Sequence, residues 1–154
     1  MKPRVYIETT IISYLTARPS RDVVALARQK LTRQWWESRG ASFDLVTSRL
    51  TEIETARGDP HAARNRVAVV REMPYLAVDD RVDGLAVKLI GPGAIPAKAT
   101  EDAVHLAMCA VHTVPYLLTW NFRHLANVNI RLKLDYICAA AGYRLPQICT
   151  PEEL

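Results

Sequence analysis

YLLTWNFRHLAN, residues Tyr116 to Asn127, is the stretch that decides how the rest of the chain is read. Pro115, Tyr116, Leu117 and Leu118 form an apolar run that stops abruptly at Thr119, followed by an amide at Asn121 and an imidazole at His124. A short apolar run bounded by polar residues reads as a buried parallel strand. The first residues repeat the pattern, because Arg4, Val5, Tyr6 and Ile7 run into Glu8, Thr9 and Thr10. In open parallel sheets ligands lie outside the carboxyl ends of the strands. Two strands that each deliver polar side chains at that end point to one shared site.

Working outward, the chain alternates strands with helices. Residues 4–7 form a first strand and Thr10–Leu15 a short helical turn. An amphipathic helix follows from Asp22 to Ser38, with Val24, Leu31 and Trp35 on its apolar side. Phe43–Thr47 reads as a second strand, and Ser48 as the N-cap of a helix that carries Glu52 and Glu54 and ends near Gly58. Asp59-Pro60 starts another helix, to Met73. Tyr75–Val78 is a third strand, and Asp79 caps a helix to Ile90. After the break GPGAIP come a helix from Lys98 to His112, a fourth strand at Tyr116–Thr119, a helix at Asn129–Ala141 and a fifth strand at Gln147–Cys149. This order predicts an α/β fold, a three-layer α/β/α sandwich around a central, mostly parallel five-stranded sheet. With 154 residues and no repeat or linker, one domain over residues 1–154 is expected.

Composition narrows the class without choosing a function. The fractions of hydrophobic and charged residues, 49% and 23%, are those of a globular domain. No run is long enough for a membrane span, and Glu8 and Arg18 interrupt any signal-like segment, so a cytoplasmic protein is expected. Cys109, Cys138 and Cys149 have no paired spacing and read as small buried hydrophobes. The net charge of +4 permits a polyanionic partner. Arg18 and Arg21, followed by Arg28, Lys30, Arg33 and Arg39, make a basic edge close to the first strand end and suited to phosphates.

Four positions are expected to converge beyond the sheet. Glu8 leaves strand one, Glu54 lies in the helix after strand two, Asp102 opens the helix before strand four, and Asn121 follows strand four. These oxygen donors suit Mg²⁺ or Mn²⁺ rather than zinc. Such a site could lower the pKa of a bound water and steady a phosphodiester under in-line attack. Each residue also has a plainer role. Asp102 suits a helix N-terminus, Asn121 could cap the turn Phe122–Ala126, and Glu52 competes with Glu54 for the inward position. Glu8 is the hardest to dismiss, because a carboxylate at a buried strand end needs a partner. His105, one helical turn after Asp102, reads as a packed core residue, and His124 as a brace for its loop.

Together YIETTIISYL, TSRLTEIETARGDP, AKATEDAVHLAMCA and YLLTWNFRHLAN resemble the PIN-domain nucleases, in particular VapC-like toxins of type II toxin–antitoxin systems. The resemblance extends to the tail ICTPEEL. It implies a three-layer α/β/α fold, a Mg²⁺ or Mn²⁺ site, endonucleolytic cleavage of RNA, a homodimer and a neutralising antitoxin. Glu8 stands where the family usually has Asp, Thr9 matches its Thr, and Thr10 replaces its Asn. Glu54 matches the helix glutamate with Glu52 as the fallback, Asp102 the third acid with Glu101 beside it, and Asn121 the fourth position. Glu8, Glu54 and Asp102 are then the expected metal ligands, with Thr9, Arg18 and Arg21 on the RNA. Because glutamate is one methylene longer than aspartate, the alternative is a catalytically weak or inactive PIN-like module that binds RNA or protein. Asp79-Asp80 suggests a phosphoacceptor receiver domain, but the chain lacks the lysine that such a domain needs after its last strands.

Overall fold

Side chains along the strands alternate between two hydrophobic clusters, and this alternation builds the layers. In β1 (Arg4–Ile7), Val5 and Ile7 enter one cluster and Tyr6 the other. In β4 (Tyr116–Leu118), Leu117 sides with Tyr6 and Leu118 with Val5. In β5 (Gln147–Cys149), Ile148 and Cys149 divide the same way. Both faces of the sheet are therefore buried, as continuous apolar strands require.

The structure, a computed structural model, describes residues 1–154. Between β1 and β2 (Asp44–Ser48) lie α1 (Thr9–Thr16) and α2 (Val23–Ser38). The helices α3 (Arg49–Thr55) and α4 (Pro60–Val70) lead to β3 (Tyr75–Leu76), and α5 (Asp80–Leu89) and α6 (Thr100–Val111) lead to β4. Last come α7 (Val128–Ala140) and β5. All five strands are parallel, in the order β3-β2-β1-β4-β5. Residues from α5, α6 and α7, among them Leu85, Leu89, Leu106, Met108 and Leu134, cover one face. Ile11 and Ile12 of α1, Trp35 of α2 and Val70 of α4 cover the other. The predicted three-layer α/β/α sandwich is the observed one.

Helix starts follow the sequence closely. Asp22, Asp59 and Asp79 accept from the backbone N–H groups of Ala25, Ala62 and Arg81. Each such cap is worth about 0.5–2 kcal/mol. Ser48 precedes α3 without a side-chain cap, because its hydroxyl turns inward to Tyr6. Differences at the edges are small. β3 stops at Leu76, two residues early, and α4 stops at Val70. Val24 is exposed, since the buried stripe of α2 runs through Gln29, Thr32 and Trp35. The three cysteines are free and buried. No helix is long and apolar enough to cross a membrane.

The strand order creates a switch point between β1 and β4, since the chain moves to β2 on one side and β4 on the other. At such a point the loops beyond the two strand ends diverge and leave a crevice. Register sets Ile7 beside Leu118, and the Glu8 N–H donates to the Leu118 carbonyl. Glu8 and Thr119 are therefore the first residues past the sheet on either side of the crevice.

Candidate functional site

Glu8 is almost wholly buried, at 4% exposure, and is satisfied through one oxygen. Its Oε1 accepts from the Thr10 N–H at 2.8 Å, the Thr10 hydroxyl at 2.5 Å and the Thr119 hydroxyl at 3.0 Å. Oε2 takes none of these bonds. Burial pushes the Glu8 carboxyl up from its ordinary range, and His105 and the Thr10 and Thr119 bonds pull the other way. Thr10 and Thr119 also fix the β4 exit, because the Trp120 N–H donates to the Thr10 hydroxyl and the Asn121 N–H to the Thr119 hydroxyl.

A second chain of hydrogen bonds crosses under the crevice. The Tyr6 hydroxyl lies 2.7 Å from Ser48 Oγ and 2.7 Å from His105 Nδ1. His105 Nε2 lies 2.5 Å from Glu54 Oε1, and Thr9 donates to that same oxygen at 2.7 Å. His105 has no exposed surface. Burial alone would lower its pKa, yet the carboxylates of Glu54, Glu8 and Asp102 outweigh that and raise it. Glu54 thus touches the imidazole, and Glu8 and Asp102 lie near enough for their charges to act on it.

Asp102 lies in the first turn of α6, with Oδ2 2.7 Å from His124 Nδ1. Asn121 Oδ1 accepts from the His124 N–H at 3.1 Å, so Asn121 braces the turn it begins. Beside Asp102, Glu101 forms a two-pronged ion pair with Arg57, which holds its carboxyl down at about 2. Arg18 and Arg21 are exposed in the loop after α1. Arg18 also lines a cleft with Asp59, His61, Asn65 and Arg66.

Glu54, not Glu52, faces the site. Glu52 is buried elsewhere, accepting from Tyr75 at 2.5 Å, Arg49 at 2.9 Å and Arg71 at 3.2 Å. Tyr6, Ser48 and Arg57 are parts of the site that the sequence does not single out, whereas Thr10 and Thr119 stand at the two strand ends that it does. The two threonines had a visible signal, since each is a hydroxyl placed directly beyond an apolar run. Tyr6 had none, because inside such a run it reads only as core.

No group of three His, Cys, Asp or Glu side chains could hold an ion as they stand. Mg²⁺, however, is usually bound through one or two carboxylates and completes its shell with water. Glu8 is fixed through Oε1 and Asp102 through Oδ2, so each is oriented by a hydrogen bond on one oxygen while the other oxygen takes no such bond. Oxygen donors of this kind suit a hard cation such as Mg²⁺ or Mn²⁺ better than zinc.

Neither a family model, nor a curated protein, nor a solved structure matches this chain.

Proposed function

We propose that the chain is a divalent-metal-dependent endoribonuclease that hydrolyses RNA phosphodiester bonds. The observation that carries the reading is that buried Glu8, Glu54 bonded to buried His105, and Asp102 bonded to His124 sit on elements at the switch point of a parallel sheet. A carboxylate as buried as Glu8, from which only one oxygen is hydrogen-bonded, is costly to keep without a cationic ligand. The spacing of the four blocks that resemble PIN-domain nucleases supports the same conclusion.

Glu8 and Asp102 would hold Mg²⁺ or Mn²⁺, which when bound supplies an ionised water and charge stabilisation for the phosphate. Glu54, pinned by Thr9 and His105, orients the attacking water. Thr10 and Thr119 keep Glu8 in one rotamer, and Asn121 and His124 hold Asp102 facing the crevice. Arg18 and Arg21 attract the RNA backbone, with Thr9 at the crevice rim. By the same resemblance, we propose that the protein is a cytoplasmic homodimer and the toxin of a pair whose antitoxin neutralises it.

A second reading has its own support. Glu8 in place of the usual Asp, together with the lack of a ready group of three ligands, favours a non-catalytic RNA- or protein-binding module. Purified protein incubated with labelled RNA, with and without Mn²⁺, separates the two. Metal-dependent cleavage that disappears in Asp102→Ala supports the nuclease. Equal cleavage by both proteins, or none with any divalent cation, removes it.

A further inference from the structure

Phe122 is the second aromatic in the turn that leaves the crevice, and it is 47% exposed. Its neighbour Trp120 is buried, donates its indole N–H to Thr32, and accounts for its own burial as core. Phe122 has no such account. The backbone of this turn is fixed by Asn121, whose carbonyl accepts from Ala126 and whose side chain accepts from His124. The ring is therefore held outward by the same residues that build the site. The Arg28 guanidinium from α2 lies 5.1 Å from the Phe122 ring centre and 5.5 Å from that of Trp120. Arg28 also donates to the Tyr14 hydroxyl at 3.4 Å, which ties it to α1.

We infer that Phe122 and Arg28 form a shelf on which an unpaired RNA base stacks beside the bond to be cut. The inference rests on the ribonuclease reading and adds to it a subsite that holds one base. Three peptide units separate Phe122 from Thr119, so their Cα atoms are at most about 11 Å apart. A nucleotide held at Phe122 is thus a close neighbour of one whose phosphate lies over Glu8 and Asp102. Bases in single strands are free to stack on aromatic side chains and guanidinium planes, whereas duplex bases already stack on one another. Arg28 adds charge for the flanking phosphate and continues the basic edge of α2 outward. An apolar protein partner would find a single ring crossed by a guanidinium, a poor match to a hydrophobic surface.

The test uses the full chain, in EDTA so that no bond is cut, and oligoadenylate RNA carrying one 2-aminopurine. Wild type, Phe122→Leu, Phe122→Trp and Arg28→Gln are compared on the single strand and on the same sequence as a duplex. Thermal unfolding confirms that each variant is folded. Wild type and Phe122→Trp should quench 2-aminopurine fluorescence on binding. Phe122→Leu should lose the quench and bind the single strand roughly 5- to 150-fold more weakly, the range expected of one base–aromatic stack. Its duplex binding should be unchanged. The inference is overturned if Phe122→Leu quenches and binds like wild type, if duplex binding falls as much as single-strand binding, or if wild type binds no RNA. Cleavage assays separate this from the parent reading. A stacking signature without metal-dependent cleavage leaves the shelf and removes the nuclease, and cleavage with Phe122-independent binding does the reverse.

Discussion

The His105 imidazole of α6 spans the gap between Glu54 on α3, 2.5 Å from its Nε2, and Tyr6 on β1, 2.7 Å from its Nδ1. A sheet strand and two helices are thereby joined at one buried ring, and an acid of the site takes its position from it. Buried polar groups left without a partner cost about 1–3 kcal/mol each. The ring is consequently a structural element as well as a neighbour of the chemistry.

The first prediction concerns the pH dependence of folding. The pKa of His105 in the folded protein is raised above its ordinary 6.5, with the acids Glu54, Glu8 and Asp102 outweighing burial. The folded state therefore binds the proton more tightly than the unfolded chain. This contribution is fully present below pH 6.5 and is lost as pH rises through the folded pKa. Urea unfolding in EDTA across this window should show stability falling as pH rises, and His105→Gln should flatten the dependence. A wild-type curve that rises with pH there would show that His105 is neutral in the folded protein.

At Glu8, function and stability should part company. Its carboxyl is pushed up by burial, so the charged form is a cost to the folded state above the ordinary carboxylate range. Glu8→Gln keeps the shape and an acceptor for Thr10 and Thr119 while removing the charge. Urea unfolding at neutral pH should show equal or greater stability than wild type, as often happens when a strained functional group is relieved. RNA cleavage should fall at least about 100-fold, the scale of losing an essential group in the site. Glu8→Asp should fare worse in stability, because one methylene less draws the carboxylate away from Thr119. Parallel urea and cleavage curves for the three proteins check both statements.

Much of this arrangement was legible in the chain, and the reason is physical. YLLT and RVYIE are buried parallel strands, so their apolar runs and polar ends announce both the sheet and its functional edge. Asp22, Asp59 and Asp79 announce helix starts, because a capping carboxylate is a local feature. What sequence left open was orientation across space. Glu52 and Glu54 are two residues apart on one helix, and only packing against Tyr75 and Arg71 turns Glu52 away. His105 and Tyr6 are 99 residues apart, so neither position hinted at their bond. Glu101 looked like a spare acid until Arg57 closed on it.

That division between neighbouring acids gives a sharp mutational contrast. Glu52→Gln breaks a network with Tyr75, Arg49 and Arg71 that lies away from the crevice. The Tyr75 bond and the two arginines hold its pKa below the ordinary 4.5, so its stabilisation is present above that pH and lost as pH falls through the folded pKa. The variant should lose about 1–3 kcal/mol at neutral pH, the scale of charged hydrogen bonds, and lose less in acid. Its cleavage of RNA should remain near wild type once folded. Glu54→Gln should lose cleavage, and because it removes the charge beside His105 its stability should fall below pH 6.5 and depend less on pH. Unfolding and single-turnover assays on the two variants read both halves, and equal catalytic loss in both would refute the assignment of Glu54 to the site.

The last prediction is electrostatic and concerns how RNA reaches the crevice. Arg18 and Arg21 are exposed, on the loop between α1 and α2, and Arg28 lies farther along the same edge. Each arginine that neutralises a phosphate releases condensed counterions, so affinity falls as salt rises. For single strands the slope of log affinity against log salt is about −0.7 for each phosphate contacted. Removing one contact should make the slope shallower by about that amount and leave sequence preference alone, since a backbone contact carries no base information. Arg18→Ala and Arg21→Ala should each show this change, and the double variant about twice it. Phe122→Leu should instead weaken binding by a similar factor at every salt concentration, because stacking releases no counterions. Titrations of labelled single-stranded RNA in EDTA over a range of potassium chloride measure all four proteins together. If Arg18→Ala and Arg21→Ala keep the wild-type slope, the RNA path does not cross this loop, and the cleft that Arg18 shares with Arg66 is not its entrance.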